Sequence, residues 1–129
     1  MKTVVLAFDY GDMRTGVALA RGDEVGPLVT VVADNLWPTV TSLVLEYKPV
    51  QLVVGLPRNL NGEATAQTQK AQSFADSLAQ ITQLPVALQD EAMSSQRALE
   101  RIGKDTPIAR RKKLLDQVAA QIILEDYLA

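Results

Sequence analysis

The stretch VVLAFDYGDMRTGVALA, residues 4–20, constrains this chain more than any other. Two apolar, partly β-branched runs, TVVLAF (3–8) and TGVALA (15–20), are joined through GDM and Arg14, short enough for a hairpin, so they are expected to pair antiparallel. Immediately after Phe8 stands an acid, Asp9. An ionised carboxylate loses its water shell at high cost unless something positive or hydrogen-bonding replaces it. The fold must bring that partner to the end of the first strand.

A third strand is expected at 28–33 (LVTVVA), after the turn-forming stretch RGDEVGP. Asn35 or a neighbour then caps a helix to about Tyr47, with Pro38 in its first turn and Val40, Leu43, Val44 and Tyr47 at helical spacing. QLVVGLP (51–57) reads as a buried strand ending in the loop RNLNGE. The next helix, about 64–83, places Ala71, Phe74, Ala75, Leu78 and Ile81 on one face. PVALQ (85–89) is the fifth strand. Ser94 caps a short helix that Gly103 ends, and Thr106 with Pro107 opens a last helix towards Leu128. Hairpin strands followed by strands joined through helices make an α/β domain, a mixed sheet with helices on its faces. With 129 residues, 47% of them hydrophobic, the chain fits one domain spanning 1–129.

The chain has no cysteine and no histidine, which removes disulfides, thiolate chemistry and imidazole bases, and leaves carboxylates for catalysis. Nothing at the N-terminus resembles a signal peptide and no run approaches the roughly 20 apolar residues of a membrane span, so a cytoplasmic protein without a membrane partner is expected. The net charge is −2, yet Arg101, Lys104, Arg110, Arg111, Lys112 and Lys113 crowd into one segment against the single acid Asp105. Such a block is either a solvated run or a local field for a polyanion.

Three acidic positions exceed the needs of solubility: Asp9, the pair Asp90-Glu91 after the fifth strand, and Asp116. By helical spacing Asp116 shares a face with Ala119, Ala120, Ile123 and Tyr127, which turns it inward. Singly, each has an ordinary explanation. Asp9 can cap a turn through Gly11, Asp90 or Glu91 can cap the helix near Ser94, and Asp116 can pair with Lys112 or Lys113. Taken together, inward carboxylates repel one another unless a cation sits between them, and oxygen-only ligands suit Mg²⁺ or Mn²⁺. Ligands in open sheets gather at the carboxyl ends of strands, where Asp9 and Glu91 both fall if their strands are parallel.

DYGDMRTGVA (9–18), VVGLPRNLNGE (53–63) with FADSL (74–78), DEAMSSQRA (90–98) and LLDQVAAQIILEDYL (114–128) resemble, in order and spacing, the YqgF family of RuvX-type nucleases associated with pre-16S ribosomal RNA. The resemblance covers nearly the whole chain. It implies an RNase H-like fold related to the Holliday-junction resolvase RuvC, with five strands in the order 3-2-1-4-5, strand 2 antiparallel, and helices on both faces. It also implies a Mg²⁺- or Mn²⁺-dependent nuclease, monomeric or homodimeric, whose catalytic and metal-binding acids are Asp9, Glu91 and Asp116. Its substrate would be structured nucleic acid: RNA, in 5′-end maturation of pre-16S ribosomal RNA, or alternatively branched DNA.

In that reading Arg14, Arg58, Asn59, Arg110, Arg111, Lys112 and Lys113 hold the substrate backbone, with Asn61 beside Asn59. Two departures stand out. Ala92 replaces the family's usual arginine after the DE pair, followed by Ser94-Ser95, and the strand at 51–56 ends without the acid that many RNase H-like nucleases carry there, so that Glu91 on the neighbouring strand would have to substitute. The first block also resembles the phosphate-binding hairpin of actin-like ATPases and sugar kinases, which generally need two such domains. A non-catalytic nucleic-acid-binding module is a third reading.

Overall fold

The computed structural model describes residues 2–91, 94–103 and 106–129. In chain order the elements are β1 (Val4–Asp9), β2 (Arg14–Arg21), β3 (Glu24–Val32), a 3-10 turn (Ala33–Asn35), α1 (Leu36–Tyr47), β4 (Gln51–Leu56), α2 (Ala66–Thr82), β5 (Val86–Asp90), α3 (Ser94–Ile102) and α4 (Ile108–Leu128). One sheet forms in the order β3-β2-β1-β4-β5. β2 is antiparallel to both its neighbours, whereas β1, β4 and β5 run parallel. The short connections force hairpins, and the parallel pairs are reached through helical crossovers. This is the expected α/β architecture and strand order. Ala92, Lys104 and Asp105, and the side chains of Ser94 and Ser95, lie outside the described residues.

Local chemistry moved some boundaries. β3 begins at Glu24 rather than at residue 28, because Gly22, at φ 61°, closes a tight turn with Asp23. Glu24, Gly26 and Pro27 are poor strand formers, but an edge strand tolerates them. The ladder shifts register between Val17 and Ala18, opposite Val29 and Pro27. Asn35 contributes no side-chain cap to α1, while Thr65 forms a reciprocal box with Thr68 at the start of α2. Of the expected apolar face of α2, Ala71, Phe74, Ala75 and Leu78 are buried, but Ile81, in the last turn beyond the sheet, is 52% exposed.

The two faces of the sheet are packed differently. Leu6 and Phe8 of β1, with Leu52, Val54 and Leu56 of β4, meet Leu36 and Val40 of α1 and Phe74 and Leu78 of α2. Full burial of such side chains is worth about 1.5–3 kcal/mol each. On the other face the strands offer Ala7, Ala18, Ala20 and Val53 to Ala120, Ile123 and Leu124 of α4. Small residues on both sides let α4 lie close to the sheet. α3 packs outside α4 through Ala98 against Ala119 and Ile122, and is tied by Arg97 to Asp126 (2.8 Å) and Arg101 to Glu125 (2.6 Å).

Candidate active site

Side chains alternate along a strand, so Asp9 faces the same way as Ala7, towards α4. Its partner across the β1–β2 ladder is Gly16, and one step past the Phe8–Val54 pair of the β1–β4 ladder stands Gly55. Asp9 is therefore flanked on both sides by residues with no side chain. A Cβ on Gly16 would overlap the backbone carbonyl of Asp116, and one on Gly55 would meet Ile123 Cδ1 at 2.5 Å and Glu91 Cγ and Oε1 at 2.9 Å. The two glycines clear the space into which α4 brings Asp116 and the end of β5 brings Glu91. Sequence reading missed both; glycine inside an otherwise apolar strand was the available signal, since it marks close approach of other groups.

Glu91 follows β5 directly and its backbone N–H donates to Leu56 O at 3.0 Å, which extends the β4–β5 pairing past the last strand residue. Its carboxyl hydrogen-bonds that of Asp9. The Asp9 carboxyl is held well above the ordinary carboxylate range, first by burial, then by the charge and hydrogen bond of Glu91, and least by the charge of Asp116. Two carboxyls in such contact need a proton or another cation between them. Asp116, on α4, is engaged elsewhere; its Oδ2 accepts from Arg14 Nε at 2.7 Å. Among the described residues no three carboxylates lie close enough, as placed, to share a metal ion.

The expected substrate-binding residues divide into two groups. Arg14 pairs with Asp116, Arg58 Nε lies 3.1 Å from Asp90 Oδ1, and Arg111 Nε donates to Thr106 O at 2.8 Å. Asn59 folds its own loop, its Oδ1 accepting from the backbone N–H groups of Asn61 (3.0 Å) and Glu63 (2.9 Å). Arg110, Lys112 and Lys113 are exposed and form no ion pair among the described residues. The start of α4 that carries them is pinned to β3 by Thr30 Oγ1, which donates to Lys113 O at 2.7 Å.

The chain is similar to known proteins in sequence and in fold. Residues 3–129 match the RuvX family, described as Holliday junction resolvase. A protein of Methylobacillus flagellatus named "Putative pre-16S rRNA nuclease" is 42% identical over 129 residues, covering 95% of this chain and 88% of that protein. One of the same name from Streptococcus agalactiae is 32% identical over 133 residues, covering 96% of both. Among solved structures, Thermus thermophilus RuvC in complex with a Holliday junction substrate shares the fold, with a TM-score of 0.62 at 16% identity over 98% of this chain and 94% of that one. The chain thus belongs to the RuvX family, a family of nucleases.

Proposed function

We propose that this protein hydrolyses phosphodiester bonds of structured nucleic acid with Mg²⁺ or Mn²⁺ held by Asp9, Glu91 and Asp116, and that its substrate is the 5′ region of pre-16S ribosomal RNA. The observation that carries the reading is the Asp9–Glu91 contact, two acids facing each other across a space that Gly16 and Gly55 keep clear. Oxygen-only donors fit a hard divalent cation, which would replace the proton they share. When bound, such an ion activates water and takes up charge developing on the phosphate.

The chain's own groups have separate tasks. Asp9 must lose its proton, so its raised carboxyl makes ion binding weaken as pH falls. Arg14 holds Asp116 beside the pair and releases one of its oxygens when Asp116 turns to join the other two. Arg110, Lys112 and Lys113 attract the phosphate backbone, and the names of the Methylobacillus and Streptococcus relatives favour RNA.

The test is cleavage of labelled pre-16S RNA, single-stranded RNA and four-way DNA junctions with Mn²⁺, Mg²⁺ or EDTA. Cutting of the RNA that needs the ion and Asp9 supports the reading. Preference for the junction assigns the DNA activity that the family description and the RuvC complex suggest. ATP hydrolysis with intact nucleic acid overturns both.

A further inference from the structure

On the sheet face opposite Asp9 lies a cavity of about 520 Å³ lined by Tyr10, Leu36, Trp37, Gln69, Lys70 and Phe74, among others. That volume falls in the range of small-molecule sites, about 300–1,000 Å³. Phe74 is buried behind the wall, with Tyr10 stacked on it (centroids 4.7 Å apart, planes at 19°) and Trp37 tilted against it (5.5 Å, 33°). Tyr10 and Trp37 are each only partly buried. Their remaining surface makes the lining aromatic, which suits a heterocycle that can stack on such rings. The rim is polar: Gln69 offers an amide, Ser73 a hydroxyl and Lys70 a cation. Lys70 Nζ lies 3.1 Å from Asp12 Oδ2 in an exposed pair, an interaction weak enough to exchange for a phosphate.

Position supplies the rest. Tyr10 follows Asp9 directly, so the cavity and the acids sit on the two faces of the sheet at the same end of β1. A strand whose scissile phosphate reaches Asp9 crosses that end and brings a neighbouring nucleotide over it. We infer that the cavity takes the unpaired base of a nucleotide next to the bond that is cut, with Tyr10 and Trp37 stacking on the base and Lys70 meeting a phosphate. This rests on the nuclease reading and deepens it: the favoured substrate has an unpaired nucleotide at the cleavage point, because a paired base must first be extruded from its stack. A free nucleotide carries the same chemistry and has to be separated by experiment.

Trp37 is the only tryptophan in the chain, so its fluorescence reports on the cavity. Once the cut bond is mapped with the wild-type protein and Mn²⁺, the Asp9→Asn variant is titrated with that RNA, with the same RNA made abasic at the unpaired nucleotide beside the bond, and with the free nucleoside monophosphate. The intact RNA is expected to shift Trp37 emission and to bind about tenfold more tightly than the abasic one, the scale of one stacked base. Ser73→Phe, which fills the cavity from its exposed rim, should erase that preference while the abasic RNA is still cut. Equal binding of the two RNAs with Trp37 unmoved, while the wild type still cleaves, overturns the inference and leaves the nuclease reading standing. A monophosphate that shifts Trp37 at lower concentration than the RNA overturns it in favour of a free-nucleotide site. If no RNA or DNA is bound or cut, both fall together.

Discussion

Asp9 and Gly16 face each other across the β1–β2 ladder, and the backbone of α4 at Asp116 lies directly over the glycine. An acid and the helix that brings a second acid to it are thus held at one register position, and the missing side chain sets the distance between helix and sheet.

Gly16→Ala should therefore be severe. The added methyl has to displace a backbone carbonyl, which moves α4 as a body, and overpacking of this kind costs about 3 kcal/mol. For a domain of this size that lowers Tm by roughly 10 °C in a thermal melt. Gly26→Ala, where a Cβ meets nothing within 4 Å, should change Tm little.

Gly55→Ala presses on side chains, Ile123 and Glu91, which can give way. Its stability loss should be smaller, about 1–2 kcal/mol. Because Glu91 is pushed from Asp9, cleavage should fall by at least about tenfold, since small misplacements of a reacting group cost about that or more. Steady-state rates beside a melt separate the two effects.

Asp9→Asn should stabilise the fold while abolishing activity. The folded protein binds a proton at Asp9 more tightly than the unfolded chain does, so this group's contribution to stability is full below the ordinary carboxylate range and is lost as pH rises through the raised value. At neutral pH the charged form is a burden that asparagine removes, a gain of about 1–2 kcal/mol of the kind seen when strained active sites are relaxed. The difference between wild type and variant should shrink in acid. Saturating Mn²⁺ should raise the wild-type Tm at neutral pH, and the variant's much less.

Replacing Arg110, Lys112 and Lys113 together by Gln should weaken RNA binding strongly and leave the melting temperature nearly unchanged, since none of the three forms an ion pair among the described residues. The slope of log affinity against log salt should fall by about 0.7–0.9 for each phosphate that the variant no longer neutralises. Arg101→Gln, which breaks the pair with Glu125, should instead cost about 0.5–1 kcal/mol of stability.

The sequence by itself determined the elements, and the strand order followed from the family resemblance that its motifs carry. The apolar runs of β1 and β2, helical spacing in α2 and α4 and the short hairpin at Arg14 all rest on interactions between near neighbours. It also singled out Asp9, Glu91 and Asp116, because acids next to apolar runs contradict the local pattern. Only the tertiary structure decided how they meet. Asp116 chose Arg14, 102 residues away, over Lys112 and Lys113 on its own helix, because α4 lies with that face against β2 and the lysines point to solvent. Gly16 and Gly55 went unmarked in the sequence, and only strand register sets them on either side of Asp9. Local propensity records how a residue treats its own backbone; which distant group fills the space beside it is settled by strand register and by the path of the covering helix.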